Sequence, residues 1–203
     1  MKVTEEIELE STAYHEAGHA VASYVMQTGI LGASIVPNDE VSGSCRYSSN
    51  NSLGKVVYGK PNTRTRLGVE GLVIVSLAGG QAEMLYYTAA KVMRRVPDDL
   101  DPAGKVIPTA ESDHIRAWDK ISFLVVDPLE QEAYLGFLAQ RARVILEYEY
   151  WPAVEALAEE LLRTREVGKQ KIRAIIRAAM HSPDRQGFAE KYGHEPVSME
   201  GQY

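Results

Sequence analysis

His15-Glu16-Ala17-Gly18-His19 constrains this chain more than any other segment, because an H-E-x-x-H pattern works only as a helix. Residues four apart share a helix face, so both histidines can aim a ring nitrogen at one ion. Imidazole suits Zn²⁺, and Glu16, beside the first histidine, is placed to act on a zinc-bound water. The segment therefore reads as a helix carrying a zinc centre for hydrolysis, most often of a peptide bond.

Ser11 or Thr12 can cap this helix, which is expected to run to about Gln27 with Gly29 as its stop. Its apolar positions include Ala13, Ala17, Ala20, Val21 and Val25, a pattern that predicts burial. From Gly32 to Tyr58, β-branched and small residues are broken by Pro37, Asn38, Gly43, Asn50, Asn51 and Gly54. Short strands are predicted at Ala33–Val36, Ser44–Tyr47 and Lys55–Tyr58. Leu67–Tyr87 returns to helical spacing with Gly79-Gly80 inside it. Two glycines weaken a helix by up to ~2 kcal/mol, so something must approach closely there.

Val96–Pro108 has three prolines, three aspartates and a glycine, the composition of a surface loop. A helix beginning at Ala110 or Ser112 and ending before Asp127-Pro128 is expected next. The last third predicts helices at about Pro128–Tyr148, Trp151–Arg165 and Lys169–His181. The tail from Ser182 is polar and expected to fray.

The chain has 203 residues, enough for one domain or one domain with a helical extension. A net charge of −6 argues against nucleic acid and anionic membrane as partners. The single cysteine, Cys45, fits a reducing compartment and an apolar packing role better than a nucleophile. No phosphate-loop motif, secretory signal or membrane-length apolar run is visible, so a cytoplasmic protein without membrane insertion is expected.

A catalytic zinc generally takes three protein ligands and keeps one position open. No further histidine motif follows His19 in the metzincin manner. The best acidic candidate is Asp113, although an acid in a first helical turn is also common for dipole reasons alone. His114 would point about 100° away from it, and His181 and His194 are expected in solvent.

Tyr14-His15-Glu16-Ala17-Gly18-His19-Ala20 resembles the zinc helix of the peptidase domain of FtsH-type AAA+ proteases. Ala33-Ser34-Ile35-Val36-Pro37 resembles that family's strand ending in proline. Leu77-Ala78-Gly79-Gly80-Gln81-Ala82-Glu83 resembles its glycine-rich helix, and Glu111-Ser112-Asp113 with Ala117 its aspartate-ligand segment. Leu157-Ala158-Glu159-Glu160-Leu161-Leu162 fits its helical tail. The resemblance covers about Thr12–Ala179. It implies His15, His19 and Asp113 as zinc ligands and Glu16 as general base. The register of the glycine-rich segment is ambiguous by one residue, so Glu83 receives no role. Gln81 or Gly80 stands where the family has arginine.

The expectation is a mainly α fold, a zincin-like H-E-x-x-H helix with a small β-sheet and a C-terminal helical bundle. Residues 1–10 are expected to be a flexible acidic lead and 11–181 an FtsH-like peptidase domain, divided into a zinc-site part (11–126) and a helical part (127–181). Residues 182–203 would form a polar tail. The expected activity is ATP-independent hydrolysis of small or unfolded polypeptides. The alternative is a non-catalytic, zinc-stabilised interaction module descended from such a peptidase. The family's hexameric ring allows a homo-oligomer, and a separate ATPase is an allowed partner.

Overall fold

The computed structural model describes residues 3–37, 43–47, 61–89 and 108–181. These form α1 (Val3–Val25), β1 (Ile30–Ser34), β2 (Ser44–Tyr47), α2 (Thr63–Thr88), α3 (Pro108–Ile121) and α4 (Pro128–Val144). A π-helical segment (Ile145–Tyr150), α5 (Trp151–Thr164), β3 (Glu166–Gly168) and α6 (Lys169–Met180) complete the order. The molecule is thus mainly helical with one small antiparallel sheet. No helix among the described residues is long and apolar enough to cross a membrane.

α2 is the central element because it is apolar on nearly every side, from Val69 and Val73 to Val75 and Ala78. One side packs on α1, and the other on α3 and α4. Two apolar clusters follow. Ala17, Val21, Val75, Leu157, Leu161 and Ile176 belong to the first, with α5, α6 and the sheet around it. Val73, Ala117, Ile121, Leu135 and Leu138 belong to the second. Local signals fix the helix ends. Asn62 accepts from the Thr65 N–H at 2.9 Å to cap α2. Asp127 caps α4 through the Glu130 N–H at 3.0 Å, with Pro128 at its first turn.

The sheet runs β2-β1-β3, with Ala33 of β1 opposite Cys45 on one side and Val167 on the other. After α1 the chain turns through Gln27 and Gly29, both at positive φ, to enter β1.

The structure departs from the sequence expectations in several places. α1 starts at Val3, not at a Ser11 or Thr12 cap, so residues 3–10 are helix and not a flexible lead. Glu5 and Glu6 suit the positive end of the helix dipole, and Ile7 is buried. The strand expected at Ala33–Val36 lies at Ile30–Ser34, and Glu166–Gly168 adds a strand that the sequence did not announce. The helix expected from Ala110 or Ser112 begins at Pro108 and ends at Ile121. The helix expected to run to Tyr148 changes to π geometry at Ile145. The strand at Lys55–Tyr58, the loop over 96–107 and the tail from Ser182 lie outside the described residues.

Candidate metal centre

α1 and α2 run antiparallel with repeats of four residues facing each other. Ser11, His15 and His19 lie along one face of α1, and Val75, Gly79 and Glu83 along one face of α2. Ser11 Oγ–H donates to Glu83 Oε1. His15 Nδ1 is 3.2 Å from Glu83 Oε2, and His19 Nδ1 is 2.7 Å from the Val75 carbonyl oxygen. Gly79 lies beneath both rings: a Cβ there would come within 2.4 Å of His19 Nε2 and 2.6 Å of His15 Nε2. The close approach expected at the paired glycines is therefore the approach of the two histidines. Gly18 has the reciprocal role, since its Cβ would meet Ala82 Cβ at 2.6 Å.

Those contacts set the tautomers. A carbonyl oxygen and a carboxylate are acceptors, so each Nδ1 must carry the proton and donate it. In the neutral rings, Nε2 of each histidine then points its lone pair inward. There the two nitrogens are 3.1 Å apart, and Asp113 Oδ2, from α3, is 3.0 Å from His15 Nε2 and 2.8 Å from His19 Nε2. Three lone-pair donors thus converge on one point, and a cation satisfies all three. Three donors at zinc-like bond lengths stand about 3.3 Å apart, so this triangle needs to open by only ~0.2–0.5 Å. His15, His19 and Asp113, all buried, could hold a metal ion.

Electrostatics point the same way. Burial pulls the His15 pKa down, but hydrogen bonds with Asp113 and Glu83 outweigh it and lift it to about 10. Burial pushes the Asp113 carboxyl up, and the hydrogen bonds of both histidines reverse this, holding it well below the usual carboxylate range. The site attracts positive charge, which a proton supplies in the metal-free protein.

A cavity of about 190 Å³ opens beside the triad. Glu16 faces it from α1, Gly43, Cys45 and Tyr47 line it from the sheet side, and Arg116 lines it from α3. Glu16 is 3% exposed, and its Oε2 has no hydrogen-bond partner among the described residues. Burial raises its pKa, against the opposing pull of His19 and His15. Gly43 leaves room for this carboxylate, because a Cβ there would lie 2.8 Å from Glu16 Oε1. Arg116 Nη1 donates to Asp113 Oδ1 at 3.2 Å, which leaves Oδ2 for the histidine side.

The structure therefore brings His15, Glu16, His19 and Asp113 to one place. His114 is exposed and lies near Trp118, and His181 is exposed at the end of α6. Cys45 also lines the cavity, but burial pushes its thiol well above its ordinary pKa, which suits packing and not nucleophilic attack. Glu83, given no role from sequence, orients His15. The signal for it was present: Gly79 and Glu83 are spaced like the histidines, and a carboxylate on a buried apolar helix needs a partner. Neither a protein-family model nor a curated protein matches the chain.

Proposed function

We propose that this chain is a zinc metallopeptidase related to the FtsH-type peptidase domain, hydrolysing small or unfolded polypeptides without ATP. One observation carries the reading: a buried carboxylate, Glu16, whose Oε2 has no hydrogen-bond partner among the described residues, faces the same cavity as the His15–His19–Asp113 triad. A purely structural ion has no use for a base held beside it.

Two imidazoles and one carboxylate match the ligand set of catalytic zinc, with room left on the cavity side. When bound, zinc supplies Lewis acidity, making water acidic near neutrality and polarising a carbonyl. Glu16 accepts the proton of the attacking water and returns it to the leaving nitrogen as the C–N bond breaks. Glu83 and the Val75 carbonyl hold the two rings in the required tautomer. β2 is an edge strand of the described sheet, and its residues line the cavity, so an extended peptide can align along it. A cytoplasmic setting, with Cys45 reduced, belongs to the same reading.

The test is cleavage of labelled casein without ATP by zinc-loaded wild type and Glu16→Gln. Turnover that disappears in the variant at unchanged zinc content supports a peptidase. Negligible turnover by both zinc-bound proteins would favour the interaction module instead.

A further inference from the structure

α4 buries Gln131, Leu135, Leu138 and Ala142 on one side. At 100° per residue, its opposite side carries Leu129, Ala133, Gly136, Phe137 and Gln140. Leu129 is 76% exposed and Phe137 63%, and Val126, just before the helix, is 65% exposed. Gly136 sits midway along the helix, on the Glu132 side of this face, where a Cβ would meet nothing within 4 Å among the described residues. Glycine weakens a helix interior, and no contact within the described chain explains its presence. It is explained where a second backbone approaches. A largely apolar face with two small residues, Ala133 and Gly136, near its midpoint has the shape of a helix-crossing point.

Charge decides what crosses there. Glu130 and Glu132 lie in the first half of α4, and Arg141 and Arg143 in the second. Glu130 and Arg141 flank the face on the Phe137 side, while Glu132 and Arg143 flank it on the other. When two identical helices pack antiparallel about a two-fold axis, each flank meets its own copy. With the axis beside Gly136, Glu130 of one copy comes level with Arg141 of the other to within about 1.5 Å along the helix. Glu132 and Arg143 come within about 4.5 Å, inside the reach of an arginine side chain. Parallel packing would set glutamate against glutamate. Arg141 and Arg143 already contact Glu149 and Glu147, yet they are 50% and 42% exposed, and each guanidinium keeps further donors.

We infer that the outer face of α4 is the contact through which two copies of this chain associate, antiparallel about a two-fold axis at Gly136. The inference is independent of the peptidase reading. A single 17-residue helix offers a small interface, which sets the expected dissociation constant in the micromolar range.

Sedimentation equilibrium of the full chain, from about 1 to 300 μM at low salt, tests it. The expected result is a monomer–dimer equilibrium that loosens in high salt. Glu130→Arg and Arg141→Glu each weaken self-association by about tenfold, because each sets like charges face to face. Mixed in equal amounts, these two variants form a heterodimer tighter than either homodimer, since every contact between them is again complementary. A monomer throughout the range overturns the inference, whatever else covers the face. So does an oligomer indifferent to both substitutions, or variants that show no preference for each other.

Discussion

The carboxylate of Glu83 lies 3.2 Å from Nδ1 of His15, and this contact decides which nitrogen of that ring faces Asp113. Removing the carboxylate frees the ring to rotate and to exchange tautomers. Glu83→Ala is expected to lower zinc affinity ~10–100-fold with all three ligands intact. Glu83→Gln keeps an acceptor and retains most of the affinity. Competition against a chromophoric chelator measures both, and an alanine variant within twofold of wild type would remove Glu83 from the site.

Metal removal should appear as lost stability. Ligand at about 1,000 times its dissociation constant adds ~4 kcal/mol to the folded state. In a chain of this size that raises Tm by about 8–16 °C. Chelated protein should melt lower by that amount and recover on adding zinc. His19→Ala and Asp113→Ala should lose the zinc-dependent increment, which scanning calorimetry with and without zinc would reveal.

The pH dependence of the metal-free protein has a definite sign. The pKa of His15 is raised in the fold to about 10 from an ordinary 6.5. Its contribution to stability is therefore complete below about pH 6.5 and fades as pH rises through about 10. Asp113 is shifted downward, so its contribution is present above the ordinary carboxylate range and fades only in stronger acid. Zinc must displace the proton from His15, so its affinity should climb from pH 6 to 9 with proton release. Titration calorimetry in buffers of different ionisation enthalpy counts those protons; zero release at pH 7 would contradict the arrangement.

Gly79→Ala places a methyl within 2.4–2.6 Å of both Nε2 atoms, on a backbone with no freedom to move away. A cost of about 1–3 kcal/mol is expected from overpacking, with a loss of zinc affinity through displaced rings. Chemical denaturation together with zinc titration separates the two effects. Unchanged zinc affinity would mean that the rings do not rest on α2.

Much of the α1 part of the site was legible because helical spacing is short-range: His15, Glu16 and His19 fall together once the segment is a helix. Asp113 is different. Its partner His15 is 98 positions away, and nothing local distinguishes its carboxylate from a helix-dipole acid, so the residues alone offered it as a candidate and resemblance gave it the ligand role. Glu83 was hidden because the glycine-rich segment fits the resemblance in two registers one residue apart, whereas the packing of α1 on α2 brings its carboxylate to His15. The helical start at Val3 was missed because a run of glutamates reads as solvated, whereas Ile7 and Ser11 turn inward. β3 is three residues long and exists through its pairing with β1, a long-range contact that no local window contains. The π segment likewise preserves helical composition while changing the hydrogen-bond ladder.

The separation of His15 from Asp113 has a consequence for how the chain matures. Asp113 lies 98 positions after His15, so their contact can form only once the chain through α3 has been made. A chain still emerging from the ribosome presents two histidines on α1 but no aspartate to join them. Metal loading would then report that half the polypeptide has reached its native place, and unfinished chains would pass through synthesis without an assembled centre.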